Sequence, residues 1–202
     1  DSQWTNSGHL YVGYHGSGTL NIESAGVASN TNGYIGFNST ATGIATVTGA
    51  DSQWTNSGHL YVGINGSGTL SVADDGLVTV GGTTLIGATG TVNLSGGRFE
   101  FGQTSLVEFS TINATAGAMA GDVIITGVND VASLTALQNP AVDMNDVAAV
   151  NNGLLHGSAI LKSSLDNQPS GELRTTSSDW VRFEGSGNIN SGAINNFGGQ
   201  VD

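Results

Sequence analysis

Four acidic residues near the end of the sequence form its densest group of carboxylates. Enzymes that cleave glycosidic bonds use two carboxylates, one as general acid and the other as base or nucleophile. Because the four residues fall on what we interpret as successive turns of a repetitive fold, they could converge, but a solvated acidic face requires fewer coincidences. We therefore predict no catalytic residue and no enzyme. The group consists of Asp166, Glu172, Asp179 and Glu184, with Arg174 and Arg182 among them.

Two other acidic segments are candidate cation sites. Asp74 and Asp75 lie in a polar turn, where we predict at most weak calcium binding. Asp143–Asp146 begins like a calcium loop, but Val147 and Ala148 occupy positions that require an oxygen ligand and a glycine. We therefore predict no EF-hand, no bound metal and no cofactor.

Three tyrosines, Tyr11, Tyr34 and Tyr61, occupy equivalent positions of a repeat and are expected to point outward. Stacked at about 4.8 Å per turn, they would form an aromatic ladder on the surface. Such a ladder either stabilises neighbouring turns or binds sugar rings, and the first interpretation is the simpler. The three tryptophans are expected to cover corners of the fold in a similar way. They are Trp4, Trp54 and Trp180.

Charge and composition exclude several kinds of partner. The net charge is −12, from 16 acidic and 4 basic residues, which disfavours nucleic acid and anionic lipid. There is no cysteine, so thiol chemistry and disulfides are excluded. His9 and His59 are equivalent but about 10 Å apart at the β spacing, too far to bind one zinc ion. No apolar run approaches the ~20 residues of a membrane-spanning helix.

The elements that must position these residues follow from an internal repeat. The thirteen residues Asp1–Gly13 return unchanged at Asp51–Gly63, a period of 50. Within each period a half-unit recurs, and its opening glycines are spaced by 25, 25 and 22 residues. These glycines are Gly18, Gly43, Gly68 and Gly90. Repetition on this scale predicts a stack of similar units.

Each half-unit carries short segments that alternate apolar and polar residues and are rich in Val, Ile and Thr, which is typical of β-strands. A strand this short cannot bury its apolar side alone, so each strand is expected to pair with its counterpart one half-unit later. The sequence therefore predicts an all-β fold, a parallel right-handed β-helix or solenoid whose rungs contain about 18–25 residues. Leu10, Val12, Leu20, Ile22, Val62, Leu70 and Val72 are expected to point inward, and Tyr11, Asn21, Tyr61 and Ser71 outward.

Three regions are predicted. Residues 1–102 form the regular solenoid, residues 103–150 continue it irregularly, and residues 151–202 resume it. In the middle region a short helix from Asp130 to Leu137 and another from Asp143 to Val150 are alternatives to strands. Because the sequence begins at a repeat boundary without a signal peptide, we expect a segment of a longer protein.

The repeated phrase, Trp54 followed by Asn56 and then Ser-Gly-His-Leu-Tyr-Val-Gly and Gly-Ser-Gly-Thr-Leu, resembles a repeat of known bacterial proteins. It is similar to the repeat shared by type V secretion autotransporter passengers and PEP-CTERM surface proteins. Residues 1–102 carry this resemblance. It implies a bacterial β-helix that is extracellular or at the cell surface, and it brings no catalytic residue with it.

From these observations we expect a structural segment of an extracellular fibre, adhesin or matrix component. Its molecules would associate end to end by β-strand pairing, because an uncapped coil exposes unpaired backbone groups. The alternative is a β-helix that binds or cleaves carbohydrate, with surface glycans as partners. Neither nucleic acid nor membrane insertion is expected.

Overall fold

The computed structural model describes residues 2–139 and 141–202, and it is a β-solenoid of about nine turns built from parallel stacked strands. We call one turn a rung. The first three rungs each contain three short strands. They are β1 (Gln3–Thr5), β2 (Leu10–Val12) and β3 (Ser17–Ile22); β4 (Val27–Asn30), β5 (Gly33–Ile35) and β6 (Thr42–Thr48); and β7 (Gln53–Asn56), β8 (Leu60–Val62) and β9 (Ser67–Ala73).

Pairing between rungs follows the spacing of the half-unit. Tyr11 pairs with Tyr34, and Tyr34 pairs with Tyr61. The opening glycines of the half-units are also in register, from Gly18 to Gly43 and on to Gly68 and Gly90. The predicted parallel stacking is therefore confirmed, with each strand bonded to its counterpart one half-unit later.

Corners of the coil require glycine where two rungs approach closely. Gly13, Gly36 and Gly63 have φ values of 77°, 71° and 64°. A Cβ atom at these positions would lie 2.4, 2.1 and 2.4 Å from backbone atoms of the next rung. Only glycine combines this backbone conformation with this contact, which explains its recurrence after the Leu-Tyr-Val and Tyr-Ile phrases.

The fourth to sixth rungs have longer strands, because the bends between adjacent faces no longer interrupt the strand. Register shifts, such as the one between Val80 and Thr83, mark the former corners. These strands are β10 (Leu77–Ile86), β11 (Gly90–Leu106) and β12 (Thr111–Ile125).

The cross-section of the coil changes after β12. A new sheet begins at β13 (Val128–Asp130), and two single-turn 3-10 helices follow at Val131–Ser133 and Thr135–Leu137. The Asp130 carboxylate accepts a hydrogen bond from the Ala132 N–H at 2.8 Å, so it caps the first turn. The helix predicted over this segment is therefore two short turns and not an α-helix.

The second predicted helix, from Asp143 to Val150, is wrong, because this segment belongs to β14 (Val142–Asn151). Pairing with β12 below directs Val142, Met144 and then Val147 into the core. The inward alternation shifts by one residue where the register shifts, which weakened the strand pattern in the sequence.

The remaining strands complete three sheets. They are β15 (Leu154–His156), β16 (Ala159–Leu161), β17 (Ser164–Asn167), β18 (Glu172–Thr176), β19 (Trp180–Phe183), β20 (Ile189–Asn190), β21 (Ala193–Phe197) and β22 (Gln200–Val201). The largest sheet runs from β1 to β20, a second contains β13, β15, β18 and β21, and a third contains β16, β19 and β22.

The core is one continuous apolar column inside the coil. The predicted inward residues of the third rung, Leu70 and Val72 among them, are fully buried. Leu10 and Leu20 point the same way but are only partly buried, because they lie in the first described rung and are covered from one side alone.

Candidate functional site

The predicted tyrosine ladder is present on the outer face of the first three rungs. The rings of Tyr11 and Tyr34 are stacked with centroids 4.7 Å apart and planes at 11°, and Tyr34 and Tyr61 are stacked at 4.7 Å and 8°. The His9 and Tyr34 rings are T-shaped, with their centroids 5.9 Å apart. The β spacing of parallel strands sets this separation, so the ladder follows directly from the register.

A second aromatic stack, which we did not predict, lies beside the ladder. The Tyr14 and Phe37 rings are stacked with centroids 5.4 Å apart, and each is T-shaped to the Tyr11 ring, with centroids 5.0 and 5.3 Å away. The sequence contained a signal for this stack, since both residues directly follow the glycines of the Tyr-Val-Gly and Tyr-Ile-Gly phrases. Ile64 follows the third such glycine and ends the aromatic column.

This arrangement decides what the ladder can bind. A sugar ring packs against the flat face of an aromatic ring, but both faces of Tyr34 are covered by neighbouring tyrosines. Burial, with the neighbouring Tyr34 and Tyr14 hydroxyls, raises the pKa of Tyr11. The tyrosine ladder therefore offers the edges and hydroxyl groups of its rings to solvent. Its geometry suits stabilisation between neighbouring rungs.

The tryptophans differ sharply in environment. Trp54 is fully buried in the core, whereas Trp4 and Trp180 are 48% and 44% exposed. The expectation that tryptophans cover corners is therefore wrong for Trp54. Its indole N–H donates to the Asn30 side-chain oxygen at 2.7 Å, and the Asn30 amide donates to the Asn56 side-chain oxygen at 2.7 Å.

Buried asparagines form a second ladder near the other end. The Asn151 amide donates to the Asn167 oxygen at 2.8 Å, and the Asn167 amide donates to Asn190 at 2.7 Å. Each residue ends its strand, as Asn30 and Asn56 do. We did not predict these asparagines to be internal, because asparagine is also the residue expected in turns.

The first and last described rungs expose apolar side chains. At the C-terminal end Ile189, Ile194 and Phe197 are 56%, 43% and 62% exposed, and Trp4 is exposed at the other end. Residues 2–22 and 185–201 contain no Asp, Glu, Lys or Arg, although the whole chain has 20 of them. Charged residues and proline commonly protect sheet edges, and both are absent from these segments.

A small apolar pocket opens at the C-terminal end of the coil. Its volume is about 180 Å³. Its lining includes the buried residues Leu165, Asn167 and Leu173 and the exposed residues Ile189, Asn190 and Ile194. The pocket lies in the last turns that the structure describes.

The acidic residues near the C-terminus do not converge. Asp166 and Glu172 lie on β17 and β18, two consecutive strands of one rung that belong to different sheets, and Glu184 follows β19 in the third sheet. The expectation that these residues occupy successive rungs is therefore wrong. Asp179 instead caps a local turn, accepting hydrogen bonds from the backbone and hydroxyl of Thr176 at 2.8 Å.

Ion pairs also make Glu172 and Glu184 unsuited to the role of a general acid. Arg174 donates to both oxygens of Glu172 at 2.8 and 2.9 Å, and Glu184 pairs with Lys162 and Arg182. These hydrogen bonds lower the pKa of Glu172 and of Glu184. A general acid requires a raised carboxyl pKa, so the shifts run in the opposite direction.

A cleft of about 590 Å³ lies between β14 and residues 162–164. Asp143 and Lys162 are charged residues that line it, and Lys162 also forms the ion pair with Glu184. Among the side chains that the structure describes, this cleft does not bring together the two carboxylates that glycoside hydrolysis uses.

Asp74 and Asp75 lie in an exposed turn with φ values of 47° and 66°. Asp74 accepts a hydrogen bond from the Thr48 hydroxyl at 3.1 Å. Among the His, Asp and Glu side chains that the structure describes, no group of three or more is placed to hold a metal ion. Weak calcium binding at this turn stays a prediction.

No helix within the described part of the chain is long and apolar enough to cross a membrane. The chain matches no protein-family model, and neither the curated proteins nor the solved structures that were searched gave a match.

Proposed function

We propose that this chain is a structural β-solenoid of the bacterial cell exterior, a segment of a fibre, adhesin or matrix component that extends by strand pairing between molecules. The single observation that supports this most strongly is the parallel stack of about nine turns, in which each strand pairs with its counterpart in the next turn.

Strand pairing between molecules is expected because backbone N–H and C=O groups require hydrogen-bond partners. The outer edge of a terminal rung presents a row of unpaired N–H and C=O groups, a template for another strand. Because the two ends are different surfaces, their contact is heterologous and propagates as a filament.

The extracellular setting is supported by the acidic composition and by the repeat phrase of residues 1–102, which resembles the repeat of autotransporter passengers and PEP-CTERM surface proteins. Net negative charge keeps such a coil soluble.

Light scattering and negative-stain electron microscopy of the purified chain across a concentration series test the proposal. We expect unbranched filaments whose mean length grows with concentration. Ile194→Lys should suppress them by placing a charge on the last rung, whereas the matched control Ala88→Lys, in an exposed turn of a middle rung, should not. Rods of a single chain at every concentration would contradict the proposal.

Carbohydrate binding by the aromatic face is the second candidate, and the stacked tyrosines are the observation that favours it. It has less support, because ring faces inside the ladder are covered by other rings. Retention of the chain on immobilised glycans, lost in a variant with Tyr11, Tyr34 and Tyr61 changed to alanine, would favour this candidate.

A further inference from the structure

All four tyrosines of the chain lie in one cluster on the side of the first three rungs. Tyr11, Tyr34 and Tyr61 form the tyrosine ladder, and Tyr14 contacts Tyr11. The chain has no cysteine, and both of its methionines are buried. Apart from two exposed tryptophans, the phenols of this cluster are therefore the side chains most open to one-electron oxidation.

The upper pair of the ladder, Tyr34 and Tyr61, lies on rungs that have a neighbour on both sides. β5 pairs with β2 and β8, and β8 pairs with β5 and β10. The two rings are stacked with centroids 4.7 Å apart and planes at 8°, and both residues are half-buried. The contact therefore belongs to the side of the coil, where solvent reaches the edges of both rings.

Tyr34 has two stacked neighbours, and the rings beside these neighbours differ. Tyr11 is T-shaped to both Tyr14 and Phe37, with centroids 5.0 and 5.3 Å away. A turn of the Tyr11 ring about its Cβ–Cγ bond would therefore bring it into these rings. The contact of Tyr34 with Phe37, at a centroid distance of 5.2 Å, is common to both possible tyrosine pairs.

Tyr61 is less enclosed than Tyr11. Its further described ring contact is with His59, which is tilted at a centroid distance of 6.1 Å. An aliphatic residue, Ile64, occupies the position that aromatic residues hold in the two preceding rungs. The Tyr61 ring can therefore turn more readily, and a turn of both rings places an ortho carbon of Tyr61 opposite an ortho carbon of Tyr34.

We propose that Tyr34 and Tyr61 form an oxidative cross-linking site, at which a haem peroxidase with hydrogen peroxide joins the two phenols as dityrosine. Each tyrosine loses one electron and its phenolic proton, which leaves a radical shared between the oxygen and the ortho carbons. A C–C bond forms between one ortho carbon of each ring. The hydrogen on each of these carbons then moves to the oxygen and restores both phenols. The two electrons and two protons reduce hydrogen peroxide to two water molecules.

The link joins two rungs covalently in a chain that has no disulfide. Tyr34 and Tyr61 are 27 residues apart, so the new bond closes a loop of one rung. In the chain-entropy account, a cross-link of this kind stabilises a fold by restricting the unfolded chain. We therefore expect the cross-linked chain to unfold at a higher urea concentration. This inference goes beyond the proposed assembly and does not depend on it, since the link forms within one molecule.

Treatment of the dilute chain with peroxidase and hydrogen peroxide tests the site. We expect dityrosine fluorescence from a chain that remains monomeric on a denaturing gel. A protease that cleaves after Glu23 and Asp51 places the three tyrosines of the ladder on different peptides. The peptides that contain Tyr34 and Tyr61 should be recovered as one species, lighter than their summed masses by two hydrogen atoms.

Variants separate the phenol from the ring. Tyr61→Phe keeps a stacked ring but removes the phenol, so it should abolish the link within the chain. The matched control, Tyr11→Phe at the other end of the ladder, should leave the yield of the link unchanged. Circular dichroism and urea unfolding before oxidation check that both variants fold.

Three results would each overturn the proposal. The first is a link between Tyr11 and Tyr34 in place of the expected pair. The second is dityrosine formed only between molecules. The third is no dityrosine in the chain while N-acetyltyrosine is coupled in a parallel reaction. Whether the unmodified chain forms filaments is a separate result and bears only on the proposed assembly.

Discussion

The first and last parts of the coil fill the same interior column with different side chains. Through six rungs the column is apolar, and through the last three it is asparagine, with each amide bonded to the next. The column consists of Val12, Ile35, Val62, Ile86, Leu106, Ile125, Asn151, Asn167 and Asn190. Burial of apolar side chains stabilises the fold in proportion to the buried area and tolerates a small shift of one rung over the next. In an amide ladder, all the hydrogen bonds form in only one strand register.

The outer surfaces differ as well. Stacked aromatic rings connect the first three rungs, while three of the four ion pairs of the described chain lie between residues 162 and 184. The comparison teaches that one interior column is filled by apolar packing at one end and by hydrogen-bonded amides at the other. The two ends should therefore respond differently to truncation of side chains and to pH.

The largest effect is expected from Trp54→Ala. This change removes a fully buried ring and leaves the Asn30 oxygen without its donor, so it should lower the free energy of unfolding by about 3–5 kcal/mol. Trp4→Ala, in the identical local sequence but exposed, should cost below about 1 kcal/mol in the monomer. Urea unfolding of both variants measures the difference, and equal losses would contradict the placement of Trp54 in the core.

A smaller effect is expected at the asparagine ladder. Asn167→Ala removes a donor and an acceptor from a buried chain of amides and should cost about 1–3 kcal/mol. Asn196→Ala, at an exposed position of β21, is the control and should change stability little. A neutral Asn167→Ala would mean that the ladder does not stabilise this end.

A still smaller effect is expected in the tyrosine ladder. Tyr34→Leu keeps an apolar side chain but loses stacking on both sides, which should cost about 0.5–1.5 kcal/mol. Tyr61→Leu loses one stacked neighbour and should cost less. Thermal unfolding of both variants gives the ranking, and the reverse order would show that stacking is not the stabilising contact.

The smallest effect is expected from pH. The pKa values of Glu172 and Glu184 are lowered in the folded chain, so their stabilisation is complete above the ordinary carboxyl range near 4.5 and is lost as the pH falls through the lowered values. Because these pairs are exposed, the loss should be modest. Urea midpoints at pH 7 and pH 3 should differ less for a Glu172→Gln/Glu184→Gln variant than for the unmodified chain. The control Glu108→Gln should behave like the unmodified chain.

The coil itself could be predicted from the sequence, because an exact repeat fixes equivalent positions and strand alternation then assigns inward and outward residues. Val62, Leu70 and the stacked tyrosines followed from that argument. The environment of Trp54 did not. The Trp54 ring needs the space that its register partner Ala28 leaves in the rung below. A large and a small residue therefore alternate at this position from rung to rung, and the tryptophan strand recurs every 50 residues instead of every 25.

The sequence also did not predict the buried asparagines or the change in the cross-section of the coil, and the reason is physical. Asparagine is common in turns, so the sequence alone does not mark Asn151 and Asn167 as buried. Their side-chain amides have hydrogen-bond partners in the core only because asparagines of adjacent rungs lie next to them. Likewise, the pattern in β14 breaks where its register shifts, so a helix and a strand were equally compatible with its spacing.

Electron cryomicroscopy or fibre diffraction of the assembled chain tests end-to-end strand pairing most directly. With about nine rungs per molecule at about 4.8 Å each, we predict an axial repeat of about 43 Å, together with a strong 4.7–4.8 Å reflection along the filament axis. Filaments without this axial spacing, or none at any concentration, would contradict the account.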